Sequence, residues 1–339
     1  MSGRRLYLDS ASGELRGVVT LDGLPERLLI ERTGEPRGPR LGALYRARIS
    51  ELATPLGLAF IDLGGGEAGV LKLPAGAGLA RGGALDAEVA AEARADKAAV
   101  LRFIGKSEGK PALLEPAPSL HRRLVSFAPG AAIETGEAAR EIADEAQEAA
   151  LAARHELAGG AVLTIEVTRA LTAVDVDLPP GAARSRRSLA NLDAINHAAR
   201  LLRLKARGGT VVIDLIGGGD SDSRLREAAR EAFRPDQPGL VILPVSRLGL
   251  LQIARPHRER PIEEVLCGSD GRISPRTVAH TVIRDLEREG RSAPGALFEA
   301  VCSPEVALEL RPLVAELGPR FTVTAQLGLD RLKTDIRQR

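Results

Sequence analysis

The chain predicts a mixed α/β protein that carries a small β-barrel and a small α/β appendage, and three stretches support that reading. Residues 163–215 are the strongest. They open with a β-branched run, TIEVTRALTAVDVD, and close with a second apolar run, GGTVVIDL. Between the runs Leu192, Ile195, Ala199 and Leu202 recur at helical spacing, and Gly208 and Gly209 stop the pattern. Strand, crossover helix and strand follow, and a parallel pair places both strand ends on one sheet edge. Residues 42–74, GALYRARISELATPLGLAFIDLGGGEAGVLKLP, alternate in short strands punctuated by glycine, which suits a small antiparallel barrel. Residues 275–339 hold two helical patterns and a strand-like FTVTAQL.

The strand ends carry the chemistry. Asp175 and Asp177 close the first run and Asp214 closes the second, so the crossover brings distant carboxylates to one edge. Asp177 lies two residues beyond Asp175 and shares its face in an extended chain. Three carboxylates together form a hard-oxygen site suited to Mg²⁺. Aspartate at a strand end is also ordinary turn chemistry, and any strand–helix–strand unit can carry one at each end.

Composition bounds the rest. At 339 residues the chain has room for two or three packed domains, and 44% hydrophobic with 27% charged residues describes an ordered protein. Aromatics are only 2%, so cores are Leu, Val, Ile and Ala, and any base-stacking platform is small. The net charge is +2, with cations that are almost all arginine. Arginine suits bidentate phosphate contact, although an Arg-, Ala- and Gly-rich chain equally reflects base composition. Two cysteines make no disulfide framework, no run reaches the roughly 20 apolar residues of a membrane span, and MSGRRLYLD has no signal-like core. A soluble, cytoplasmic protein is expected.

Taken in order, residues 4–32 read as short strands joined by glycine turns. Thr135 followed by acidic residues and alanines reads as a helix N-cap. IGGGDSDSR after Asp214 lacks phosphate-loop spacing and reads as a turn, with Asp220 and Asp222 as caps for SRLREAAREAF. PGLVILPVSRLGLLQIARP reads as a buried strand and a following segment. His197, His257 and His280 show no ligand spacing, and Cys302 in ALFEAVCSPEVALEL reads as a small buried hydrophobe.

GGAVLTIEVTRALTAVDVD with NLDAINHAARLLRLKARGGTVVIDLI resembles the catalytic core of the ribonuclease E/G family. VSRLGLLQIARPHRERPIEE resembles that family's segment after the second acidic strand. The resemblance runs in order, with gaps, over most of the chain. It implies an α/β mixed-sheet catalytic body with RNase H-like plus deoxyribonuclease-I-like parts, an inserted OB-type RNA-binding β-barrel and a small C-terminal α/β domain. Its implied divisions are 1–38 for the first strands of the body, 39–113 for the barrel and 114–160 for the helical remainder. Residues 161–268 then form the metal-dependent catalytic domain, and 269–339 the C-terminal domain.

The resemblance also implies roles. One Asp from each strand end, here Asp175 and Asp214, holds the Mg²⁺ (or Mn²⁺) that serves cleavage of single-stranded RNA. Asp177 stands where the family usually has Asn, and Gly217 where it has an acidic residue. Tyr45, Arg46, Arg48, Phe60 and Lys110 are the implied RNA-binding positions of the barrel, with Val70 where a second aromatic is expected. Tyr45 and Phe60 are equally candidates for barrel core. Ser246, Arg247 and Arg255 match family residues, and Arg255 either approaches the scissile phosphate or pairs with a site carboxylate. Cys267 is a single cysteine where the family often has a pair that links two chains through zinc, so no zinc and no zinc-linked dimer are expected, although another homo-oligomer is compatible. The stretch that senses a 5′-monophosphate in the family has no counterpart here. The implied function is a Mg-dependent endoribonuclease without 5′-monophosphate sensing, with single-stranded RNA as partner and no membrane. The alternative is an RNA-binding protein with a decayed nuclease centre. A metal-dependent phosphoesterase acting on something other than RNA is a third reading.

Overall fold

Alternation in the first strands sets up two packed faces. In this computed structural model, which describes residues 3–35, 38–94, 97–181, 186–217 and 222–339, β1 (Arg4–Ala11), β2 (Glu14–Leu21) and β3 (Leu24–Arg32) form an antiparallel meander. Its first turn uses Gly13 at φ 77°, a conformation that glycine adopts without steric cost. Tyr7, Val18 and Leu28 enter the largest core, while Leu6, Val19 and Leu29 enter a second core on the other face.

The barrel interrupts this body. It comprises β4 (Leu44–Ala53), β5 (Leu58–Gly64), β6 (Glu67–Lys72), β7 (Ala84–Ala91) and β8 (Ala99–Lys106), with β9 (Ala112–Glu115) added on β4. The order β4-β5-β6-β8-β7 closes back on β4, a five-strand closure consistent with an OB-type barrel. All neighbours in the closure are antiparallel except β6 and β8, which run parallel. Ala43, Tyr45, Ala47 and Ile49 fill the interior with Ile61, Leu63, Leu85 and Leu101.

The chain then returns to the body. α1 (Leu120–Phe127) packs Leu120 and Leu124 against the meander, and β10 (Ile133–Glu134) joins β1 in parallel. α2 (Glu137–Leu151) buries Ala139, Ala143, Ala146 and Ala150. Its N-cap is Gly136 without a side-chain cap bond, so Thr135 is not the cap that the sequence suggested.

The central sheet has the order β11-β12-β13-β14-β16-β15. Its strands are β11 (Arg154–Glu156), β12 (Val162–Val167), β13 (Thr172–Asp177), β14 (Gly209–Asp214), β15 (Val241–Ile242) and β16 (Leu250–Arg255), with α3 (Arg186–Leu204) crossing between β13 and β14. The β-branched run read as one strand is a hairpin, β12–β13. β13 and β14 are parallel neighbours, as the crossover requires. Leu163, Ile165, Val174, Val176, Val211 and Ile213 pack on one face against Ala194, Ile195, Ala198 and Leu202 of α3. Alternation then sends Asp175, Asp177 and Asp214 to the other face, where all three are exposed.

α4 (Asp222–Ala232) follows; Asp220, and the side chain of Asp222, lie outside the described residues. The expected buried strand at PGLVIL is only the short, exposed β15, and the core strand is β16. α5 (Ile262–Leu266) leads to α6 (Pro275–Ser292), β17 (Phe298–Cys302), α7 (Pro304–Leu317), β18 (Phe321–Ala325) and β19 (Asp335–Gln338). These form a mixed three-stranded sheet with its own core, in which Cys302 is buried. Buried ion pairs tie the body together: Asp9 meets Arg16 at 2.7 Å and Arg284 of α6 at 3.1 Å, and Glu14 meets Arg32 at 2.6 Å. Among the described residues no helix is long and apolar enough to cross a membrane.

Candidate active site and nucleic-acid interface

The register of the parallel pair brings two of the predicted carboxylates together. Asp175 and Asp214 are direct Cα partners across β13 and β14. Neighbouring strands lie about 4.8 Å apart, so two side chains on one face are adjacent. The Asp175 carboxylate accepts a hydrogen bond from the Val176 N–H at 3.0 Å. Asp214 and Asp177 have no ion-pair partner among the described residues. Asp177 shares the face but lies past the end of the β13–β14 ladder, opposite Val162 of β12. No cluster of three or more His, Cys, Asp or Glu able to hold a metal ion occurs among the described residues. The expected three-carboxylate cluster is therefore a pair with a third acid displaced along the strand. Two register-matched carboxylates without a cationic partner among the described residues still fit Mg²⁺, which needs few protein ligands and keeps its waters.

Neighbouring loops shape this edge, and here the sequence reading missed two residues. Asn191 of α3 is fully buried, donates from Nδ2 to the Ile216 carbonyl at 3.2 Å and accepts the Ile216 N–H on Oδ1 at 2.9 Å. It clamps the turn two residues beyond Asp214. A polar residue on the apolar face of a helix was its sequence signal. Arg187, one turn earlier, stands over Gly217: a Cβ built there would lie 3.4 Å from Arg187 Nη1. Gly217 has φ 68°, a region that disfavours most side chains. On the other flank the turn between β15 and β16 is set by Ser246, whose hydroxyl accepts from Leu248 N–H at 3.3 Å and Leu250 N–H at 3.2 Å. Leu250 is the register partner of Asp214, so the exposed Arg247 belongs to the acidic end of the sheet.

Arg255 does not. It pairs with Gly209 at the opposite end of β14, five residues from Asp214, about 17 Å at the usual rise. Its guanidinium is buried against Asp236 at 2.8 Å, which Arg203 also contacts at 2.9 Å. The expectation that Arg255 approaches phosphate or a site carboxylate is corrected: its guanidinium also donates to the Leu202 and Arg207 carbonyls and so ties β16 to the end of α3.

The barrel positions divide by strand parity. Tyr45 faces inward, 7% exposed, with its hydroxyl donating to Glu67 at 3.1 Å; burial, then Glu67, pushes its pKa up to about 12. Its expected RNA role is corrected to core packing. Arg46 and Arg48 face outward. Arg46 Nε donates to Ser107 Oγ at 3.0 Å and Arg48 Nη2 to the Gly109 carbonyl at 3.4 Å. Both arginines therefore lie against the loop that carries the exposed Lys110. Phe60 is 41% exposed and in register with Val70, which is itself in register with the exposed Val100. These side chains form a short apolar row on the outside of the barrel.

A mixed α/β body with an inserted five-strand barrel and a paired-carboxylate sheet edge is the class defined by this architecture. Comparison with known proteins narrows it. A model of the ribonuclease E/G family matches residues 134–258, which include both strand-end aspartates and Asn191. Ribonuclease G of Escherichia coli is 31% identical over 177 residues, covering 48% of this chain and 36% of that protein. Ribonuclease E of Haemophilus influenzae is 35% identical over 141 residues, covering 39% of this chain and 14% of that protein. Over residues 134–258 the chain is thus similar to the ribonuclease E/G family, and it spans about a third of the ribonuclease G relatives it matches.

Proposed function

We propose that the protein is a cytoplasmic, Mg²⁺-dependent endoribonuclease that hydrolyses single-stranded RNA without sensing a 5′-monophosphate. The observation that carries this reading is the register pairing of Asp175 with Asp214, exposed and without a cationic partner among the described residues. The ribonuclease names of the matched relatives support it. A carboxylate pair without a cationic partner among the described residues favours the enzyme over an RNA-binding protein with a decayed centre. The outward cations of a closed barrel favour RNA over a small phosphoester.

Asp175 and Asp214 would hold Mg²⁺, or Mn²⁺ in its place, which when bound supplies positive charge to a phosphoryl oxygen and lowers the pKa of water. Asp177, displaced along the same face, orients the attacking water and accepts its hydrogen bond. Asn191 positions the backbone after Asp214, and Arg187 and Arg247 present positive charge at the edge where a phosphodiester docks. Arg46, Arg48 and Lys110 contact phosphates, and Phe60 offers a ring to a base, each a contact of ordinary single-strand recognition. We assign RNA binding to residues 39–113 and cleavage to 161–268. Residues 1–38 and 114–160 complete the body, and 269–339 form a separate small domain.

Cys267 supplies no zinc link in this reading. It is one thiol, and burial followed by Glu263 and Asp270 pushes its pKa up, away from the thiolate that zinc requires. The test is incubation of the purified protein with labelled single-stranded RNA bearing a 5′-monophosphate, triphosphate or hydroxyl, in Mg²⁺ or chelator. Internal cleavage in Mg²⁺ alone, at similar rates for all three ends, is expected. No cleavage in Mg²⁺ or Mn²⁺, or a strong monophosphate preference, refutes the corresponding part.

A further inference from the structure

At the end of the central sheet opposite the carboxylate pair lies a cleft of about 340 Å³ between sheet and barrel. Four cations line it from separate parts of the chain: Arg94 and Lys97 from the β7–β8 connection, Arg169 from the β12–β13 turn, and Arg207 from the turn before β14. His257 lines it too, and Glu264 is its one acid among the described residues.

The cleft is built, not a chance gap between side chains. Arg94 and Lys97 are held by reciprocal backbone hydrogen bonds of 3.0 and 2.7 Å. The turn bearing Arg169 is fixed by Thr168, whose hydroxyl accepts the Ala170 and Leu171 N–H groups and donates to the Leu171 carbonyl at 2.8 Å. Gly209 leaves room for the His257 ring, since a Cβ there would lie 2.9 Å from Nε2. His257 Nδ1 is buried without a hydrogen-bond partner. Burial, with Arg94, Arg255, Arg207 and Lys97 around it, pushes the His257 pKa down to about 4, so the ring is neutral in a positive field. Lys97 and Arg169 are exposed and have no ion-pair partner among the described residues.

Its place in the fold gives the cleft a ligand. Lys97 lies three residues before Val100, the end of the apolar row that starts at Phe60. On the other side, Thr172 and Gly209 are three and five residues from Asp175 and Asp214, about 10–17 Å along the strands. The cleft thus lies between the apolar row of the barrel and the strands that carry the carboxylate pair, and a connection in this position of an OB-type barrel is suited to nucleic-acid contact.

We propose that the cleft is a phosphate-binding subsite that grips the backbone of single-stranded RNA between the barrel and the carboxylate pair, with Lys97 and Arg169 as its direct phosphate contacts. The proposal rests on the RNA reading above. An internal phosphate is the ligand, not the strand's terminus.

The test is binding of a labelled single-stranded oligonucleotide, with 5′-hydroxyl or 5′-phosphate, by fluorescence anisotropy across a salt series in chelator. The proteins are the wild type, Lys97→Ala/Arg169→Ala, and a control that removes equal charge elsewhere, Arg311→Ala/Lys333→Ala. Each lost phosphate contact on single strands lowers the slope of log K against log salt by about 0.7. The cleft variant is expected to bind roughly tenfold more weakly with a slope reduced by about 1.4, equally for both oligonucleotides. The control keeps the wild-type slope. Wild-type slope in the cleft variant overturns the proposal while leaving RNA cleavage standing. A loss confined to the 5′-phosphate oligonucleotide overturns it in favour of a terminal-phosphate site. Absence of RNA binding by the wild type overturns both readings.

Discussion

Replacing Asn191 by alanine should loosen the acidic edge without dismantling the sheet. The side chain is fully buried and holds both the N–H and the carbonyl of Ile216. Its loss strands two backbone groups, each of which costs about 1–3 kcal/mol when left unsatisfied in the interior. Ile216 is only half-buried, so water repays part of that cost, and we expect local destabilisation of about 2 kcal/mol. That corresponds to roughly thirtyfold faster exchange of the Ile216 amide, since 1.4 kcal/mol is a factor of ten. The assay is residue-resolved hydrogen exchange, with the Ile213 amide of β14 as internal control. RNA cleavage should fall mainly in kcat, because the clamp positions the strand end and does not bind substrate. Asn191→Asp keeps the acceptor for Ile216 N–H and should lose less. Unchanged Ile216 exchange in Asn191→Ala, or a loss spread evenly over β14, refutes the clamp.

Arg255→Ala should act on stability and leave RNA affinity alone: removing one partner of a buried pair costs about 3 kcal/mol, read as a fall in the urea midpoint, and weakened RNA binding by a folded variant would restore its interface role. Phe60→Ala should weaken single-stranded RNA binding by about 1–3 kcal/mol if its exposed ring stacks on a base, and unchanged affinity would make that surface idle. His280 is buried, and burial with Arg32 and Arg276 lowers its pKa to about 3. Its folded pKa lies below the unfolded value of about 6.5, so the unfolded state binds the extra proton, and stability drains as pH falls from about 6.5 towards 3. The contribution lost by pH 5 is about 2 kcal/mol, and a pH series of urea melts should show His280→Gln with a flatter acid limb than the wild type.

The crossover unit was legible because Leu192, Ile195, Ala199 and Leu202 mark one helix face and the flanking runs are strongly β-branched. The turn that splits the first run was not legible. Thr168–Arg169–Ala170–Leu171 contains no glycine or proline, and the bend is made by the Thr168 hydroxyl. At the barrel, strict alternation of Ala43, Tyr45, Ala47 and Ile49 already separates Tyr45 from Arg46 and Arg48; family likeness alone does not. Arg255 could not be placed from sequence because its partner, Asp236, comes from a distant segment that only the fold brings near. The cationic cleft was hidden for the same reason: its residues are scattered singly and meet only where sheet and barrel touch.

The central claim is that Asp175 and Asp214 form one metal-dependent cleavage site. Its most direct test compares wild type, Asp175→Asn, Asp214→Asn and Asp177→Asn on a labelled single-stranded RNA in Mg²⁺, with RNA affinity measured in parallel. Loss of cleavage in both Asp175→Asn and Asp214→Asn, with affinity kept and with Asp177→Asn as active as the wild type or more so, is the result predicted. Wild-type cutting by either Asp175→Asn or Asp214→Asn contradicts the paired site.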